Sequence, residues 1–120
     1  MSRPIACYYT NIRSLINKRD ELKLLIEKSR PDVILLTETW LSSDIDDREI
    51  GLPDYAIYRQ DRSNSIGGGV AILVQNRLRA FLRLDIKEAT GFSEMVWCQV
   101  TTRLDKSILV GCVYRSPSAS

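Results

Sequence analysis

The sequence predicts an α/β fold: an opening βαβ unit followed by antiparallel strands. Two observations carry this. The first is Val33-Ile34-Leu35-Leu36, an apolar run without alternation behind Pro31-Asp32. Such a run reads as a strand buried on both faces. Burying its four side chains is worth roughly 6–12 kcal/mol gross, at about 1.5–3 each. The second is what surrounds it. A helix-spaced stripe and an aromatic strand precede it, and short alternating segments separated by turn residues follow it.

The elements follow in order. Residues 4–11, PIACYYTN, read as the first strand. Asn17 to Arg30 reads as a helix, with Leu15, Leu22, Leu25, Ile26 and Ser29 on one stripe. Asn17 suits the N-cap, Asp20 and Glu21 suit the first turn, and Lys28 and Arg30 suit the last. Pro31 ends it. Strand, helix and buried strand then form a right-handed βαβ crossover. Its parallel strands bring Asn11 and Glu38 side by side at one edge of the sheet. Residues 41–50 form a polar, acidic loop with one helical turn, and Gly51-Leu52-Pro53-Asp54 is turn chemistry. Tyr55–Arg59 and Val70–Val74 are a third and a fourth strand, paired antiparallel across the glycine-bearing loop. Arg77–Leu84 alternates basic and apolar residues, as a half-exposed fifth strand would. Glu94–Thr101 and Ser107–Tyr114 are two more strands, joined by a hairpin turn at Leu104-Asp105-Lys106.

Composition narrows the chemistry. The 120 residues suffice for one modest core. The net charge of +2 is too small to argue nucleic-acid binding from bulk electrostatics. No apolar run reaches membrane-spanning length and no secretory signal is expected, so no membrane partner is expected. Cys7, Cys98 and Cys112 lack metal-type spacing and read as reduced core thiols, which points to an intracellular protein. Histidine is absent. That removes Ser-His and Cys-His catalysis, and His as a ligand or general base.

Glu38 closes the most apolar strand. A carboxylate beside a core costs several kcal/mol unless something pairs with it. Arg13 or Arg59, a hydrogen-bond network or a metal are the candidates. The carboxyl end of a parallel strand is also where open α/β sheets keep their sites. By residue type alone, Asn11 is a strand-end turn residue, Tyr114 an ordinary strand aromatic and Trp40 packing beside Glu38. Gly67-Gly68-Gly69 reads as a bulged strand entry rather than a phosphate cradle, because the P-loop Lys and helix are missing. Arg77, Arg79 and Arg83 read as a solvated strand face.

Five segments in order resemble one family: residues 9–15 with 18–22, 30–41, 67–72 and 113–117 (YTNIRSL, KRDEL, RPDVILLTETWL, GGGVAI and VYRSP). They resemble the endonuclease/exonuclease/phosphatase superfamily with its DNase I-like fold, closest to the endonuclease domains of jockey-like non-LTR retrotransposons. The resemblance implies a two-sheet α/β sandwich with outer helices. It also implies phosphodiester cleavage with Mg²⁺, or Mn²⁺ in its place. By position, Asn11 resembles the first-strand Asn of the metal and phosphate network. Glu38 resembles the metal-ligating carboxylate, and Tyr114 the tyrosine that approaches the scissile phosphate. Mg²⁺ commonly takes one or two carboxylates with waters and phosphate, so one strand-end Glu is a sensible ligand. DNA is the implied partner and the nucleus the implied location. The family's Asp-x-Asn motif, its further Asp and its closing Asp-His pair have no counterpart in the 120 residues.

Residues 1–120 therefore read as the N-terminal portion of such a domain, incomplete at its C-terminus, with that second half as a further partner. Inactivity alone is expected. Exposed strand edges and one uncovered inner sheet face are expected too, with Val110 and Val113 short of neighbours. Two other readings stand beside this one. The first is a non-catalytic remnant that acts as an interaction or nucleic-acid-binding domain, or has no function. The second is a generic nucleotide-binding α/β domain, disfavoured because no glycine-rich turn follows the first strand.

Overall fold

A computed structural model describes residues 4–62, 67–86, 94–102 and 105–115. The strand sequence is β1 (Cys7–Asn11), β2 (Val33–Thr37), β3 (Tyr55–Gln60), β4 (Val70–Gln75), β5 (Arg79–Leu82), β6 (Glu94–Thr101) and β7 (Ser107–Tyr114). Helix α1 (Arg19–Ser29) joins β1 to β2, and the short α2 (Asp47–Ile50) precedes β3. One sheet has the order β1-β2-β4-β3 and the other β5-β6-β7. β1 and β2 are parallel and every other pairing is antiparallel. This is the two-sheet α/β sandwich that the family resemblance implies.

The period-2 geometry of each strand divides the core in two. Ile34 and Leu36 of β2, with Ala71 and Leu73 of β4, face α1 and meet Leu15 and Leu22. Val33 of β2, with Val70, Ile72 and Val74 of β4, faces the second sheet and meets Val96, Cys98, Val100 and Cys112. Both central strands are therefore apolar on both faces, which is why their sequences do not alternate. The second sheet spans β3, β4 and part of β2 but leaves β1 uncovered, so Tyr9 remains 58% exposed on the inner face. Val110 packs in the inner core, while Val113 points outward and is exposed.

Several expectations change in three dimensions. Cys98 and Cys112 are core thiols, pushed up to about 12 and about 11 by burial, but Cys7 is exposed on uncovered β1. Helix α1 starts at Arg19, two residues after Asn17. Asn17 does not cap it; its N–H donates to the Ser14 hydroxyl, in a turn that buries Leu15 before the helix begins. Arg30 ends the helix in the left-handed conformation, its N–H on Ile26 O. Arg79 lies on a solvated strand face as expected, while Arg77 is ion-paired with buried Asp32 and Arg83 with Asp85. Leu104 of the hairpin turn, and Ser116 and Pro117, lie outside the described residues.

Candidate functional site

The site is built where β2 leaves the core. Asn11 is in register with Thr37, so Glu38 is the next residue beyond Asn11 on the neighbouring strand. The two strand exits are laced together. Ile12 N donates to Thr37 O at 2.9 Å, Ser14 N to Glu38 O at 3.0 Å and Leu15 N to Thr39 O at 2.9 Å. Four non-glycine residues here hold positive φ: Arg13 at 48°, Ser14 at 83°, Glu38 at 56° and Trp40 at 56°. Each such residue costs on the order of 1–3 kcal/mol, and strained positions cluster where geometry serves a function.

The triglycine segment closes over this exit. All three glycines hold positive φ, where a side chain is strained. Trp40 N donates to Gly68 O at 2.9 Å and Thr39 N to Gly69 O at 3.3 Å. In return, Gly68 N donates to Glu38 Oε1 at 2.8 Å, and Trp40 Nε1 reaches the same oxygen at 3.4 Å. Glu38 is thus held by a backbone amide. Arg59 is committed instead to Asp47 and Asp61 at 2.7 and 2.9 Å. The glycines act as a bulged strand entry that orients a carboxylate.

A second carboxylate arrives from the other sheet. Glu94, the first residue of β6, accepts from Gly69 N at 2.8 Å and from Arg62 Nε at 2.5 Å. The Arg62 guanidinium lies over Gly68, where any Cβ would collide with it. Tyr114, paired with Glu94 across the sheet, stands against Glu38. Burial raises the phenol's pKa, and the neighbouring negative charge of Glu38 raises it further. The pair with Glu94 raises the Arg62 pKa, so its charge is fixed.

The structure therefore joins Glu38 to Tyr114 and sets Asn11 beside Glu38 by strand register. The Asn11 amide has no hydrogen-bond partner among the described residues, so its oxygen is available to a ligand. Glu94 and Arg62 are new to the site. Glu94 carries a weaker form of the Glu38 signal, a carboxylate at the first position of a half-buried strand. Arg62 sits in a polar loop with no signal at all. Among the described residues, no group of three Asp, Glu, His or Cys side chains converges. Strand register places one carboxylate and one amide at neighbouring strand ends, a set of hard-oxygen donors. It fits a cation that keeps most of its waters, as Mg²⁺ does.

Known proteins share this architecture. The sequence profile described as "Endonuclease/Exonuclease/phosphatase family" matches residues 9–105. A Drosophila melanogaster protein named "Probable RNA-directed DNA polymerase from transposon BS" is 26% identical over 117 residues, covering 86% of this chain and 13% of its own length. The AP endonuclease LMAP of Leishmania major superposes with a TM-score of 0.60 at 20% identity, over 90% of this chain and 38% of that one. A humanized D. rerio TDP2 superposes with a TM-score of 0.64 at 13% identity, over 95% and 52%. The chain thus spans about half or less of each solved relative and a small part of the transposon protein.

Proposed function

The chain belongs to the endonuclease/exonuclease/phosphatase family, and from that premise we propose that it is the N-terminal portion of a Mg²⁺-dependent DNA endonuclease domain of non-LTR retrotransposon type. The observation that carries this reading is the Glu38 carboxylate, fixed by Gly68 N–H at the exit of the central parallel strand and faced by Tyr114. The transposon relative supports the type, and the partial coverage of the solved relatives supports a domain completed by further chain. DNA is the substrate of this reading and the nucleus its location.

In this reading Glu38 and Asn11 hold the cation, Mg²⁺ or Mn²⁺. When bound, it neutralises charge that develops on the phosphate. Glu38 presents one orientation because the amide of Gly68 fixes it. Tyr114, a phenol that stays protonated at neutral pH, donates its O–H toward the phosphate. Asn11 contributes a neutral amide that both accepts and donates. Activation of the attacking water and protonation of the leaving group fall to residues outside this chain. The alternative is a remnant that keeps the fold without the chemistry.

A titration of backbone amide shifts with Mg²⁺ and Mn²⁺ tests the site. Millimolar metal should move the amides around Asn11, Glu38 and Gly68. Glu38→Gln should abolish the response, and Glu27→Gln on α1 should leave it intact. No local response at millimolar metal would refute the metal-site reading. Reading the gene beyond Ser120 separates the two functions: an open frame encoding the Asp-x-Asn and Asp-His motifs supports the nuclease, and a stop codon the remnant.

A further inference from the structure

Arg62 differs from Arg59 and Arg83, the other ion-paired arginines whose side chains are mostly shielded from solvent. Arg59 spends three of its nitrogens on Asp47, Asp61 and the Ser42 carbonyl. Arg83 is forked onto Asp85 and also reaches Gln99. Arg62 gives only Nε, to Glu94, and its two terminal nitrogens have no hydrogen-bond partner among the described residues. Its side chain is nevertheless only 22% exposed, resting over Gly68 where the missing Cβ leaves room. Its charge acts on Glu94, Glu38 and Tyr114 together. The end of a positioned guanidinium, unpaired among the described residues, therefore sits among the residues proposed to meet the phosphate.

Charge balance points the same way. Glu38 and Glu94 against Arg62 leave the cluster net negative, which repels an approaching phosphodiester. A guanidinium with its terminal fork unoccupied offsets that repulsion at short range, and its planar donor geometry matches phosphate oxygens. Fixing Nε beforehand reduces the rotamer freedom lost on binding.

We propose that Arg62 is the phosphate anchor of this site, its terminal nitrogens binding a non-bridging oxygen of a nucleic-acid phosphodiester while Glu94 holds the guanidinium in place through Nε. The proposal rests on the reading of the site as one that takes a phosphodiester.

The test uses the 120-residue chain and a fluorescein-labelled oligothymidylate in EDTA, so that no metal contributes. Anisotropy is followed across a salt series. Arg62→Gln should weaken binding about tenfold or more, the scale of a lost hydrogen bond to a charged group. It should also flatten the plot of log K against log salt by about one. Arg62→Lys should restore the slope but only part of the affinity, because the fork is lost. Arg13→Gln, an exposed cation beside the same strand exit, reports general charge and should cost far less. Equal losses in Arg62→Gln and Arg13→Gln, or no loss in Arg62→Gln, would overturn the anchor while leaving the phosphodiester site standing. A wild-type chain that does not bind the probe would overturn both. Should Arg62→Gln fail to fold, the Nε–Hε resonance of Arg62 in the wild type decides: it should shift saturably as oligothymidylate is added, and a resonance that stays fixed at saturation overturns the proposal.

Discussion

Gly68→Ala strikes the point where two carboxylates and a guanidinium meet. Gly68 has a φ of 66°, and an L-residue in that conformation costs about 1–2 kcal/mol. The added Cβ would land on the guanidinium of Arg62. That group is the far end of a flexible side chain, so the fold yields by swinging Arg62 away. The bond from Arg62 Nε to Glu94 is then lost. Hydrogen bonds to charged groups contribute about 1.5–3 kcal/mol. The two side chains are 22% and 16% exposed, so water recovers part of that value. The expected destabilisation is about 2–4 kcal/mol, the backbone and the solvent-discounted ion-pair contributions together. Urea unfolding followed by circular dichroism measures it. The same substitution in an Arg62→Ala background should cost only the backbone part, about 1–2 kcal/mol. A coupling of at least about 1 kcal/mol between the two positions is therefore expected, well above the scatter of independent sites. Additive single and double variants, or a Gly68→Ala cost below about 1 kcal/mol, would refute this account of the turn.

Three further outcomes follow from the same structure. Asp32 is buried, accepts from Ala6 N at 2.8 Å and is ion-paired with Arg77, so Asp32→Ala should destabilise by about 2–4 kcal/mol and Asp32→Asn by less; equal melts for wild type and Asp32→Ala would contradict it. Native protein at mildly alkaline pH should offer one accessible thiol, Cys7, to a chromogenic disulfide, with Cys98 and Cys112 reacting only on unfolding. The same burial sets a pH dependence: the unfolded thiols lose their protons near 9.0 and the folded ones near 12 and 11, so stability is intact below 9 and falls above it, by about 1.4 kcal/mol per pH unit for each buried thiol. A stability plateau from pH 9 to 11 would show that burial does not hold these protons. Finally, if the proposed reading holds and part of the catalytic set lies outside these 120 residues, the isolated chain should not nick supercoiled plasmid in Mg²⁺ or Mn²⁺, because catalytic groups act together; relaxation abolished by Glu38→Gln would overturn this.

The sequence alone determined the elements and the identity of the central carboxylate. Uninterrupted Val33–Leu36 and Val70–Val74 signal burial on both faces, and alternation through Tyr55–Arg59 signals a strand. These are local patterns whose period the backbone imposes, so they survive without coordinates. Glu38 was legible because a charge at the end of an apolar strand demands a partner. The partner itself was not legible. Arg13 and Arg59 were the electrostatic candidates, yet Glu38 is met by the amide of Gly68, 30 residues away, which has no side chain to signal it. Glu94 and Arg62, 32 residues apart, meet only because the two sheets stack and bring the start of β6 over the glycine turn. The exposure of Cys7 has the same origin: its residue type and neighbours suit a core, and only the offset of the second sheet leaves β1 uncovered. Local sequence fixes which face a side chain takes; what lies across that face is decided by how the layers overlap.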